Sequence, residues 1–199
     1  MDYQAAKDYI LQRLRKELSE DLYYHGLHHT LDVLRITKEV CRMEGVEHHQ
    51  RILLQTAALY HDSGFVLHHK EHERLGCGIC QEVLPGFGYT AADIEAICGM
   101  IMATKIPQSP QNELEEIICD ADLDYLGRSD FFQIGQTLYK EFLAYGVVKD
   151  EEGWNRLQVS FLQNHHFFTS STIERRQVKK NRHLEQLKKI VEGYKKNTT

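Results

Sequence analysis

Three short stretches of this chain put histidine and aspartate where ordinary packing would not ask for them. The first is Tyr24-His25-Gly26-Leu27-His28-His29-Thr30, where His25 and His29 stand four apart and share a helix face if the helix starts early enough. The second is Ala57-Ala58-Leu59-Tyr60-His61-Asp62-Ser63-Gly64, two ionisable groups at the end of a strongly apolar run. Burying them unpaired would be costly. Adjacent positions on a helix lie about 100° apart, yet both can reach an ion over its edge. The third is Ile118-Cys119-Asp120-Ala121-Asp122-Leu123-Asp124. With Leu114 at the origin, Ile117, Ile118, Ala121 and Tyr125 fall within about 60° of it, while Asp120 points about 120° away and Asp122 and Asp124 flank the apolar face at about 80° on either side. Two imidazoles and one or two carboxylates make a nitrogen-and-oxygen set that suits Mn²⁺, Fe²⁺, Co²⁺, Ni²⁺ or Zn²⁺ better than Ca²⁺. An ion with open positions can acidify a water and aim it at a phosphorus.

The elements that would position these groups are helical throughout. Ile10, Leu14 and Leu18, with Leu11 beside them, form a first apolar stripe. Helices are predicted over about His28–Glu44, ending near Gly45, and over Gln50–Tyr60. Residues 70–84 read as a helix closed by the loop Pro85-Gly86-Phe87-Gly88. Thr90 with Asp93 is a capping start for a helix to about Ala103. After a loop over Lys105–Gln111, Asn112 can cap a helix running to Tyr125, and Ser129-Asp130 can start another to Tyr145. Glu151–Phe168, with Trp154, Leu157, Phe161 and Leu162, and a last helix capped within Ser170–Thr172 complete the set. No stretch alternates with period two, so the expected fold is all-α.

The chain has 199 residues, 12 of them histidine, 5 cysteine and 3 proline, with a net charge of −5. That length predicts one domain, taken here as residues 1–199. The charge gives no electrostatic basis for nucleic-acid binding by the whole protein. No apolar run of membrane-spanning length and no secretory leader pattern is visible, so the expectation is a soluble cytoplasmic protein with reduced thiols. Cys77-Gly78-Ile79-Cys80 has CxxC spacing, but without a βαβ pattern it reads as small residues lining a helix contact. From Glu174 to Lys196 there are nine basic and three acidic residues, a local +6 against −11 elsewhere, read as a solvated basic face. Phe161, Phe167 and Phe168 read as core.

The order HxxxHT, then HD inside AALYHDSG, then DADLDYLG resembles the HD superfamily of metal-dependent phosphohydrolases over about residues 22–128. Trp154, Phe161-Leu162 and Phe167-Phe168-Thr169 also resemble a small bacterial-type subgroup of it. The resemblance implies an HD-type helical bundle, with a metal-site core at 22–128 and helices over 129–196 packed on it. It implies His29, His61, Asp62 and Asp122 as ligands of one divalent ion, Mg²⁺ included, and selects Asp122 over Asp124 as the aspartate after Ala121. In the cyclic-nucleotide phosphodiesterase branch the motif YHNxxHA begins with a general-acid histidine. Here YHGLHHT makes His25 the matching residue, with Gly26 where that branch has Asn. Glu71-His72-Glu73 resembles the element that helps bind a second metal in binuclear members. The histidine that such members add from the next helix is absent from Ile101-Met102-Ala103-Thr104, so a mononuclear site is expected with His72 nearby. Lys105 is a candidate phosphate contact, and His68 and His69 are candidates for the rim.

The expected function is hydrolysis of a nucleotide or other small phosphate ester by a metal-activated water. Asp62 or His72 would take the water's proton and His25 would protonate the leaving oxygen. The rival readings are a non-catalytic metal- or nucleotide-binding signalling module and a di-iron oxygenase of the same superfamily, which would need two metals.

Overall fold

The computed structural model describes residues 1–196, and among them every regular element is helical. The chain divides into two compact units, one ending at Asp122 and the other starting at Leu123.

The first unit holds six helices: α1 (Tyr3–Glu17), α2 (Leu27–Met43), α3 (His48–Tyr60), α4 (His72–Val83), α5 (Ala91–Ala103) and α6 (Glu113–Asp122). The stripe predicted in α1 is buried at Ile10, Leu11 and Leu14, whereas Leu18 is its extended C-cap. Helix α3 is central, packing against α1, α2, α5 and α6. Its Leu54, Ala57, Ala58 and Leu59 are essentially shut off from solvent and meet Ile36 and Val40 of α2, Ile97 and Met100 of α5 and Ile117 and Ile118 of α6 in one core. Fully burying an aliphatic side chain contributes about 1.5–3 kcal/mol, so this apolar centre is what holds the ligand-bearing helices in register. Two buried hydroxyls fix α3 further: Tyr60 Oη donates to the Ala6 carbonyl at 2.9 Å, and Thr56 Oγ1 meets Tyr89 Oη at 2.8 Å.

Capping sets several helix ends. Thr90 and Asp93 form the reciprocal capping box of α5. Asn112 Oδ1 accepts from the amides of Leu114 and Glu115 at the start of α6. Helix α6 stops at Asp122, and the expected continuation to Tyr125 is instead a 3-10 turn over Asp124–Gly127. Gly88, with φ 76°, supplies the left-handed turn that follows the 3-10 segment Leu84–Phe87.

The second unit contains that 3-10 turn and helices α7 (Phe131–Ala144), α8 (Glu151–Asn164) and α9 (Ser170–Lys196). Helix α8 ends four residues before the predicted Phe168, where Lys180 of α9 donates to the His165 carbonyl and stands 3.1 Å from His165 Nδ1. That cation satisfies the orphan carbonyl at the C-terminus, where the helix dipole favours positive charge. Asp124 is buried and accepts from Arg176 Nε at 2.6 Å, with Arg128 3.8 Å away. The Phe131 ring stacks on His183 at 4.5 Å, and His183 Nδ1 bonds to the Leu126 carbonyl. The cap of α9 is one residue earlier than predicted, since Thr169 Oγ1 accepts from the Thr172 amide.

One glycine in the first unit is dictated by space. After Asp62 the chain makes a 3-10 turn, Ser63–Val66, that lies against the start of α4. A β-carbon at Gly64 would overlap the His72 carbonyl, with the His72 carbonyl carbon 2.7 Å and Cα 2.8 Å away. Overpacking of this kind against backbone has no side chain to yield. Gly64→Ala is therefore expected to cost about 3 kcal/mol, read as a lower urea midpoint with an unchanged slope.

Candidate metal centre

Four of the predicted residues converge in the first unit. His29 lies in the first turn of α2, His61 caps the C-terminus of α3, Asp62 leads into the 3-10 turn and Asp122 ends α6. His29 Nε2 stands 3.1 Å from Asp122 Oδ1 and 3.4 Å from Asp62 Oδ2. His61 Nε2 stands 3.1 Å from Asp62 Oδ2, 3.6 Å from Asp122 Oδ1 and 3.4 Å from His29 Nε2. Donor atoms of His29, His61 and Asp122 all lie within 4.8 Å of one another. Asp62 Oδ2 lies within 3.4 Å of both imidazole nitrogens as well.

This donor set fits a divalent ion. Two ligand atoms about 2.1 Å from one ion, at right angles to it, are about 3.0 Å apart, close to the shortest separations here. His61 is 1% exposed, and its Nδ1 faces the Ala58 carbonyl at 3.0 Å. Donation of the Nδ1 proton to that carbonyl leaves the Nε2 lone pair pointing into the cluster, the tautomer that a metal needs. Asp62 Oδ2 is buried and makes no aligned hydrogen bond, its neighbours being the His61 and His29 nitrogens at 3.1 and 3.4 Å. A carboxylate oxygen left this way is expensive unless something cationic meets it.

Charge pairing within the cluster is strong, and an ion binding there must displace the His61 proton. Burial disfavours the charged form of His61, but the Asp62 and Asp122 carboxylates beside it outweigh burial and hold its pKa well above the ordinary imidazole value. Burial likewise opposes ionisation of Asp62 and Asp122. For Asp62 the neighbouring imidazoles of His61, His25 and His29 outweigh it, for Asp122 those of His29 and His61, and both carboxyls stay well below the usual range.

The residues around the cluster form an aromatic wall. His25 is half-buried, its ring 5.9 Å from the His29 ring and 6.1 Å from that of His72. Phe65, on the 3-10 turn, stacks on His25 at 4.5 Å and on His72 at 4.1 Å, both at 23°. His72, the first residue of α4, sets Nε2 3.5 Å from Asp62 Oδ1 and 3.4 Å from Glu73 Oε1, while its Nδ1 faces the His69 carbonyl at 3.1 Å. Glu71 before it adopts a left-handed conformation, φ 55°, unusual for a side chain of this kind and found where surrounding structure over-determines the backbone. Reading by chemistry alone passed over Phe65, because a phenyl ring has no titratable or ligating atom. Its place one residue after HDSG was the available signal.

Residues 26–124 match the HD domain family. This is an HD-domain protein. HD domains bind divalent metals and are generally found in metal-dependent hydrolases. Comparison with curated proteins and with solved structures returned no match.

The side chains of the remaining sequence candidates are not part of the cluster itself. Lys105 is exposed on the loop after α5 and lines a surface hollow with Met102, Ile106, Pro107, Gln111 and Glu115, none of which is in the cluster. Its charge is still felt by Glu71, next to His72. His68 and His69 are exposed, with stacked rings 4.5 Å apart. Asp124 belongs to the ion pair with Arg176 in the second unit. Asp120, which the helical wheel turned away from the apolar face, is nonetheless fully buried, because α6 packs against three helices of its unit and has more than one covered side. Position 104 holds Thr104, whose hydroxyl donates to the Ile101 carbonyl. No helix among the described residues is long and apolar enough to cross a membrane.

The cluster predicts its own behaviour toward metals. His61→Ala is expected to weaken divalent-ion binding at least about 100-fold, measured by titration calorimetry, with the far-UV circular dichroism unchanged. Because ligands must be deprotonated and the two carboxylates hold the His61 proton tightly, affinity in the intact protein should fall as pH drops, starting above the ordinary imidazole value. Undiminished binding by His61→Ala would remove this residue from the ligand set.

Proposed function

We propose that this centre hydrolyses a phosphate ester, a nucleotide or another small phosphorylated metabolite, with one divalent ion held by His29, His61, Asp62 and Asp122. The observation that carries the reading is the buried cluster of two imidazole Nε2 atoms and two carboxylates, one of whose oxygens makes no aligned hydrogen bond, facing an aromatic wall that holds two further histidines. When bound, a divalent ion there supplies charge against the phosphoryl oxygens and lowers the pKa of a water.

The remaining work falls to the chain's own side chains. Asp62 Oδ1, on the His72 side of the carboxylate, accepts the proton of the attacking water, and His72 Nε2 at 3.5 Å receives or steadies it. His25, on the approach to α2, protonates the leaving oxygen; an imidazole near neutral pH is matched to that task. Phe65 is the positioning residue for both rings, since it stacks on each of them. Lys105 meets a distal phosphate of the substrate at the rim, on the side of Glu71.

The decisive measurement is phosphate release from a nucleotide and phosphometabolite panel after separate loading with Mn²⁺, Co²⁺, Ni²⁺, Fe²⁺, Zn²⁺ and Mg²⁺. Turnover is expected with at least one pairing and should vanish in a His61→Ala, Asp62→Ala double variant that keeps its helicity. Full turnover in that variant would overturn the site. Silence across the panel with one metal per chain would favour the signalling module, and two irons per chain would favour the oxygenase. His25→Gln should lower kcat about 10²–10⁴-fold and remove the alkaline limb of the pH profile while metal affinity stays put.

A further inference from the structure

Away from the metal cluster, three thiols meet where α4 lies against α5. Cys77 Sγ is 3.6 Å from the Cys98 carbonyl, and Cys98 Sγ is 3.8 Å from the Cys77 carbonyl. These reciprocal contacts place each sulfur in the gap between the two backbones, facing the other residue. Cys80, one turn further along α4 and fully buried, presents its thiol to Cys98 as well. Cys77 is buried and Cys98 is half-exposed, so one of the three is open to a small reagent from solvent.

The arrangement is wrong for a metal. A zinc–thiolate bond of about 2.3 Å requires three sulfurs within about 4 Å of one another. The three thiols are not among the groups of described residues whose donor atoms come together within 4.8 Å as a metal would need. It suits oxidation instead, where a reactive sulfur needs solvent access on one side and a resolving thiol on the other.

We propose that Cys98 and Cys77 form an oxidisable dithiol that a hydroperoxide converts into a disulfide bridging α4 and α5. Cys98 sulfur attacks one peroxide oxygen, the O–O bond breaks, and water or an alcohol leaves, giving a sulfenic acid. Cys77 sulfur then attacks that sulfur, the S–O bond breaks, and hydroxide departs with the Cys77 proton as water. Two thiols are oxidised by two electrons and one hydroperoxide is reduced. Cys98 is the member nearer solvent and Cys77 the buried one; the neighbouring thiols of Cys77 and Cys80 lower the Cys98 pKa, while the contact with Cys98 and burial push the Cys77 thiol up. Cys98 is thus the nucleophile toward peroxide and Cys77 the resolving partner.

The test is peptide mapping of the intact reduced protein after treatment with hydrogen peroxide, digested without reductant by trypsin and a glutamate-specific protease. Cleavage after Arg74, Glu82, Glu95 and Lys105 separates Cys77 and Cys80 from Cys98. The expected product is the peptide 75–82 joined to 96–105, lost on adding dithiothreitol. Cys77→Ser should lower its yield about tenfold, and Cys80→Ser should leave it in place. A Cys77–Cys80 loop within the first peptide would overturn the proposal. Sulfinic or sulfonic acid on Cys98 with no linked peptide, unreacted thiols, or linkage that persists in Cys77→Ser would do the same.

Discussion

Two carboxylates withdrawn from water within reach of two imidazoles form a cluster whose charge has to be balanced, and the first unit is arranged around that requirement. Asp62 and Asp122 come from different elements and flank the same pair of ring nitrogens, so their repulsion is tolerated only while positive charge sits between them. The packing of α3 against α1, α2, α5 and α6 makes this possible by fixing His61 at the end of a helix with no freedom to move away. Tyr60, the residue before His61, ties the end of α3 to α1 through its hydroxyl, and Ala58 three residues back orients the imidazole through its carbonyl. An apolar core thus holds polar groups in a geometry that they would not choose alone.

The turn after Asp62 does the second part of the work. Because Gly64 lets the chain lie against the His72 backbone, a single 3-10 turn places Phe65 between two histidines from distant parts of the sequence. His25 belongs to the approach to α2 and His72 to the start of α4, yet one phenyl ring contacts both. The wall of the site is therefore set by stacking and by backbone fit, and the ligands by hydrogen bonding and charge.

The all-helical fold was legible because apolar periodicity and caps are local signals. The pairing of Thr90 with Asp93 and the end of α5 at Ala103 are both written within a few residues. The ends of α6 and α8 were not, since each depends on contacts far along the chain. Lys180 donates to the His165 carbonyl at the end of α8 from fifteen residues away, and Arg176 meets Asp124 across fifty-two. The same reason explains why the helical wheel left Asp122 and Asp124 equivalent. Their difference lies in partners, with His29 and His61 beside one and Arg176 beside the other. The HD resemblance supplied that choice before any contact was visible. Nothing local to CxxC announced Cys98, because helix-on-helix placement is what joins Cys77 to it.

The contact between His29 and Asp122 closes a loop of ninety-three residues. Loop closure on that scale comes after local helix formation, so the coordination set is among the last features of the first unit to assemble. While the chain is being synthesised, His61 and Asp62 leave the ribosome as neighbours, but a nascent chain that ends before α6 has only part of the cage. Metal capture by the proposed ligand set would thus require the whole 1–122 unit. An ion binding the finished site and not the unfinished chain stabilises the folded form by mass action.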